Sequence, residues 1–239
     1  MQLFHRSASV SATFDDTNLV SAAGLVPAMA LAATTGLGDL ADEHLSLPGY
    51  FGANSGLKVT ALVAGMVAGA DSIADMAVLR HGGMKKIFTS IYALSTWGSF
   101  LRSFTFGHVR QLDAVASRFL INLAAEAPIV PTPADGGLVF VDVDDTIIQV
   151  HGPKKQGAGF GYSGVRGLNA LLTTVSTGSS APVVIAQRLR KGAAGSPRGA
   201  ARIVADALKT VTRLPEWRGR IGHCPAGSGS ETSDRRHSG

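Results

Sequence analysis

Cysteine is almost missing from this chain. One residue, Cys224, in 239 excludes an intrachain disulfide and a thiolate zinc site, and it fits a reducing, cytoplasmic setting. Aromatic residues make up only 6% and charged residues 16%. The longest apolar stretches, Leu19 to Ala33 with Pro27 inside it and Lys58 to Ala70, fall short of the roughly 20 residues a membrane span needs. They read as buried helices, and the first twenty residues, with His5, Arg6, Asp15 and Asp16, show no secretory signal. A strong basic field is missing too. The formal charge is +5, but from residue 209 onward six Lys/Arg face three Asp/Glu, so most of the excess belongs to the end of the chain. Net charge alone is thus weak support for nucleic-acid binding, and local basic clusters count for more.

What is present is one sharp change of texture. Leu138 to Val141 is an apolar run of strand type, followed within four residues by Asp142, Asp144 and Asp145, after which Thr146-Ile147-Ile148 resumes the apolar pattern. In a strand Asp142 and Asp144 share a face and Asp145 takes the other. Crowded carboxylates repel, and a hard divalent cation such as Mg²⁺ relieves the repulsion, which points to phosphate chemistry.

Before this stretch the periodicity predicts helices: Leu19 to Thr35, Asp39 to Leu45, Leu57 to Ala70, Ser72 to Arg80, Ser95 to Phe106 and His108 to Ala127. Gly65 and Gly69 are expected to admit a close neighbour. Pro128, Pro131 and Pro133 form a stiff linker, which sets the boundary of a helical region over 1–134. After it come strands at Leu138 to Val150, Leu168 to Ser176 and Pro182 to Leu189, then a helix after Ser196-Pro197 that ends near Leu214-Pro215. The fold class is therefore α+β. Residues 135–215 form the second domain, and 216–239, without apolar periodicity, are expected to be disordered.

Two enzyme families share the acidic motif. Asp142-Val143-Asp144-Asp145-Thr146 resembles the D-x-D-x-T motif of haloacid-dehalogenase-like phosphatases, which implies Asp142 as nucleophile and Asp144 as acid/base. That family also needs a later lysine and an acidic pair after a strand, and no such pair follows. A broader resemblance is to insertion-sequence transposases of the DDE superfamily. It rests on five blocks in order: DSIADMAVLRHGGM (Asp71 to Met84), STWGSFLRSFTFGHVRQLD (Ser95 to Asp113), FVDVDDTIIQVHG (Phe140 to Gly152), GYSGVRGLNALLTTVS (Gly161 to Ser176) and QRLRKGAAGSPRGAA (Gln187 to Ala201).

The resemblance implies a helical DNA-binding region and an RNase H-like catalytic domain opening with three antiparallel strands and a helix. It makes Asp144 the first catalytic and metal-binding Asp, with Asp142 and Asp145 as second choices for Mg²⁺. It implies double-stranded transposon ends as partner, contacted by Arg102 and Arg110 beside a helix-turn-helix-like break at Gly107, and by Lys154, Lys155, Arg166, Arg188, Arg190 and Lys191 along the strand ends. It further implies a homodimer or a full-length transposase as partner, and a cytoplasmic, nucleoid-associated location.

The sequence departs from the family after Pro215. In place of a strand carrying Arg-Ala-Asp-Ser, and of a later helix with a Glu, stands Glu216-Trp217-Arg218-Gly219-Arg220-Ile221-Gly222. The chain therefore reads as a truncated or frameshifted transposase without strand transfer of its own, or as a non-catalytic DNA-binding inhibitor of a longer relative. Translating the DNA after codon 215 in the other two frames is expected to recover that strand and that helix; two empty frames would exclude a frameshift.

Overall fold

In the computed structural model the described residues are 16–88, 91–130, 138–152, 154–215 and 220–222. The chain divides into two compact units, Met1–Glu126 and Ala127–Gly239. The division falls at the start of the proline-containing segment, eight residues ahead of the boundary read at residue 134; residues 131–137 lie outside the described part.

The first unit is helical: α1 (Leu25–Thr34), α2 (Leu37–His44), α3 (Ser55–Val67), α4 (Leu94–Arg102) and α5 (Phe106–Glu126). Helix α1 begins six residues later than the apolar run suggests. Pro27 has no amide proton to give to a preceding turn, so it belongs in a first turn, and the helix can start only just before it. Helix α2 packs on both α3 and α5. Its approach to α3 requires Gly56, where an added Cβ would lie 2.5 Å from both the Gly38 carbonyl and the Asp42 carboxylate. The Gly56 N–H donates to Asp42 at 2.7 Å, so a side chain of α2 caps the first turn of α3.

Of the two glycines expected to admit a neighbour in α3, Gly65 does so, facing the Met76 thioether. Gly69 has nothing within 4 Å and stands at φ +91°, ending the helix in a Schellman turn closed by the Ala70 N–H on the Gly65 carbonyl. The apolar stripe does not stay buried to its end, since Met66 and Val67 are exposed. The helix expected over Ser72 to Arg80 is a 3-10 segment, Asp75–Arg80, opened by a reciprocal Ser72–Asp75 cap.

Helix α4 unites two apolar clusters. Its Phe100 lies with Ala32, Leu37, Ala41, Leu45, Leu47, Val59 and Val115. Its Trp97, completely buried, lies with Leu25, Ala64, Met76, Leu79 and Met84.

The second unit is a sheet under one helix: β1 (Leu138–Gln149), β2 (Gly159–Phe160), β3 (Arg166–Thr177), β4 (Val183–Lys191), α6 (Ala200–Val211) and β5 (Arg220–Gly222). β1 and β3 pair antiparallel from Val139↔Thr177 to Gln149↔Gly167. β3 and β4 pair antiparallel from Leu168↔Lys191 to Val175↔Val183, with a bulge at Thr173/Thr174. β2 adds two pairs to β3, Gly159↔Gly167 and Phe160↔Arg166. β5 lies parallel to β1 at Leu138↔Arg220 to Phe140↔Gly222. The order across the sheet is thus β4, β3, β1, β5, and the chain reaches β5 by crossing over through α6. The α+β class is observed, helices first and sheet second. Of the end expected to be disordered, residues 216–219 and 223–239 lie outside the described part, and Arg220–Gly222 adds a short strand to the sheet.

Alternation decides what is buried. Gly167, Asn169, Leu171, Thr173, Val175 and Thr177 of β3 are all buried on the α6 face, against Ile203, Ala207 and Val211. The opposite face leaves Leu138, Phe140, Ile148 and Val184 between 40% and 49% exposed. One helix therefore supplies the whole described cover of this sheet. Removing its central anchor, Ile203→Ala, is expected to destabilise the second unit by about 2–4 kcal/mol. Urea unfolding followed by circular dichroism checks this, and a loss below about 1 kcal/mol would mean that α6 is not the cover that matters.

Candidate metal and nucleic-acid site

The acidic stretch lies within β1, not at its end. Asp144 is the seventh of the strand's 12 residues, because Thr146-Ile147-Ile148, β-branched throughout, carries the strand on to Gln149. The strand predicted over Leu138 to Val150 is thus observed one residue shorter, with the acids in its middle. The expected division of faces is present. Asp142 pairs with Thr174 and Asp144 with Leu172, so both stand exposed on the face away from α6, their Cα atoms about 7 Å apart by strand rise. Asp145 pairs with Leu171 and faces α6.

Asp145 has a full set of partners. Its carboxylate accepts from the Asn169 amide at 2.7 Å, from the Ser196 hydroxyl at 3.1 Å and from the Arg190 guanidinium at 3.1 Å. The Asn169 hydrogen bond first, then Ser196 and the Arg190 charge, hold its pKa below the usual carboxylate range, against the upward pull of burial. Arg190 is the hub of this cluster. It is 8% exposed and donates to Asn169, to Asp145 and to the carbonyls of Gly195, Ser196 and Arg198. Asn169 is itself 2% exposed and directly opposite Arg190 in the ladder.

The basic residues separate accordingly. Arg190, expected along a DNA path, is a correction: its guanidinium is consumed inside the unit. Arg188 donates to Asp206 of α6 at 2.7 Å with its side chain 13% exposed, so it too serves the sheet–helix contact. Arg166 donates to the Gly152 carbonyl at 2.7 Å and closes the loop between β1 and β3. Lys154, Lys155 and Lys191 are exposed.

In the first unit Arg102 is exposed at the end of α4, its guanidinium folded back over Gly98 and 3.5 Å from the Ser99 hydroxyl. Arg110 is half-buried and paired with Asp113 at 2.5 Å. The break between α4 and α5 is Ser103–Thr105, not Gly107, which lies inside α5. His108 accepts the Thr105 N–H at 3.1 Å on Nδ1 and so caps α5.

A Mg²⁺ pair needs several oxygen ligands around each ion. Among the described residues no group of three or more His, Cys, Asp or Glu side chains comes together to hold a metal. Asp142 and Asp144 are two carboxylates on one open strand face.

Sequence reasoning missed Lys58. It is 5% exposed, donates to the Phe51 and Ala53 carbonyls at 3.0 and 2.6 Å, and lies 5.5 and 5.2 Å from the centres of the Tyr92 and Phe100 rings. Burial lowers its pKa. It borders a cavity of about 180 Å³ with Tyr50, Phe51 and Tyr92. The one available signal was position: a lysine between Leu57 and Val59, at the start of an apolar helix.

Compared with protein-family models, with curated proteins and with solved structures, the chain matches none. Among the described residues no helix is long and apolar enough to cross a membrane.

The Arg190 cluster makes a pH-dependent contribution to stability. A carboxyl whose folded pKa is depressed stabilises fully above its unfolded value of about 3.9, and that part is lost as pH falls through the folded value. Wild type is therefore expected to lose stability below about pH 4 more steeply than Asp145→Asn, which lacks the titrating group. Arg190→Ala is expected to cost about 3 kcal/mol at neutral pH by leaving Asp145 and Asn169 unpaired, whereas Lys154→Ala stays within about 0.5 kcal/mol of wild type. Urea midpoints from pH 2 to 7 measure both; parallel profiles for wild type and Asp145→Asn would remove Asp145 from the account.

Proposed function

We propose that this chain is a DNA-binding protein of the DDE-transposase type, which occupies the ends of a mobile element without cutting them by itself. One observation carries the reading: the order of elements in the second unit. Three antiparallel strands are followed by a helix, and then by a strand, β5, in the place where the transposase resemblance calls for one. Asp144 lies on the first of these strands, open to solvent, and is the residue to which the resemblance gives the role of first catalytic Asp.

The same comparison argues against catalysis by this chain alone. β5 reads Arg220-Ile221-Gly222, with no acid, and Asp142 and Asp144 have no third ligand grouped with them among the described residues. DNA binding therefore remains as the activity that the residues support. Of the basic residues that the resemblance assigns to DNA, Arg102 on the first unit and Lys154, Lys155 and Lys191 on the second are exposed and available for phosphate contacts. The phosphatase reading draws less support. Ligand sites of open parallel sheets lie beyond the carboxyl ends of strands, whereas Asp142 and Asp144 lie mid-strand in an antiparallel ladder.

The test is binding of the full chain to duplexes taken from either side of its own gene. A saturable complex is expected that survives excess unrelated DNA, with affinity falling about 10³-fold or more between 50 and 200 mM salt if six or more phosphates are neutralised. Fluorescence anisotropy reads both. Equal affinity for unrelated duplexes would reject the end-binding reading.

A further inference from the structure

The loop between β1 and β3 is braced, and it holds two aromatic rings in water. The Gly192 N–H, just after β4, donates to the Gly157 carbonyl at 3.0 Å. A Cβ on Gly161 would lie 2.6 Å from the Gly192 carbonyl oxygen, and one on Gly192 would strike the carbonyls of Gly159 and Gly167. These glycines press backbone on backbone, a contact that no side chain permits. Phe160 and Tyr162 alternate with Gly159 and Gly161. With the glycines turned against residues 192–193, the rings are left on the outside: Phe160 is 66% exposed and Tyr162 completely so. Two large rings held in solvent contribute nothing to a core, and exposed apolar surface of this kind marks a binding site.

The charge around the rings has one sign. Residues 152–167 contain Lys154, Lys155 and Arg166 and no Asp or Glu. Lys154 and Lys155 are exposed. Lys191 is exposed as well, and its stem passes 3.8 Å from where a Gly157 side chain would begin.

We propose that this loop is a stacking platform for single-stranded DNA, in which Phe160 and Tyr162 take unpaired bases and Lys154, Lys155 and Lys191 take the adjoining phosphates. Every base offers a π-face, so stacking on a protein ring tolerates any sequence, while the cations follow the backbone. Inside a duplex those faces are covered. The platform therefore deepens the DNA-binding reading by naming the form of DNA that this loop engages.

Anisotropy titrations of the full chain with a labelled mixed-sequence oligonucleotide of about 16 nucleotides, and with the same sequence as a blunt duplex, test it. Phe160→Ala/Tyr162→Ala is expected to weaken single-strand binding about tenfold or more and duplex binding by less than about twofold, while Tyr162→Trp preserves both. Both positions are exposed, and an unchanged circular dichroism spectrum verifies that the variants fold. Wild-type affinity for the single strand in the double alanine variant overturns the proposal. So does equal loss on both DNAs, or a wild-type chain that binds duplex ends but no single strand; in that last case the end-binding reading stands alone. Single-strand binding that depends on the two rings, without selective duplex binding, supports the platform and rejects end recognition. Capture on anionic phospholipid vesicles with no single-strand binding also overturns it.

Discussion

The second unit depends on one buried cation. Arg190 joins three strands and a loop at a single guanidinium: it is on β4, it donates to Asn169 of β3 and Asp145 of β1, and it gathers the carbonyls of Gly195, Ser196 and Arg198 ahead of α6. Burying such a charge is costly unless every donor is met, and here the partners converge from three segments. The arrangement also locks the register. A slip of β4 by one residue would turn Arg190 to the open face and leave Asn169 and Asp145 unmatched.

That same tie divides the three aspartates by role. Asp145 is drawn under α6 and becomes part of the scaffold, which leaves Asp142 and Asp144 alone on the open face. The strand is thus acidic on both sides for different reasons. On one side the charge is neutralised by a buried partner; on the other it is hydrated. Lys58 in the first unit repeats the first solution with the sign reversed, a buried ammonium met by two carbonyls and two rings, holding the Phe51–Ala53 backbone against α3.

Local pattern carried much of this into view. β1, β3, β4, α5 and α6 follow from apolar periodicity, and the alternation of Asp142, Asp144 and Asp145 follows from strand geometry alone. The failures have nameable causes. Asp75–Arg80 reads as an α-helix by composition, but it is a 3-10 segment whose Met76 packs against Gly65 of α3, a contact no local window contains. Arg188 and Arg190 read as surface charge because their alternation with Gln187 and Leu189 looks like any solvated strand end. Only the partners across the ladder and from the helix show that their face is the covered one.

By itself, then, the sequence determined the two textures of the chain, the place where one gives way to the other, the strand that carries the acids and which acids share a face. These are properties of nearest neighbours and of period, and they need no knowledge of what packs where. Tertiary structure alone decided which face α6 covers, and so which aspartate is structural and which arginines are spent inside. It also decided that Arg220–Gly222 pairs with β1, and that glycines 157, 159, 161 and 192 close on one another and turn Phe160 and Tyr162 outward. Those outcomes depend on contacts between residues far apart in the chain, whose free energy no local window contains.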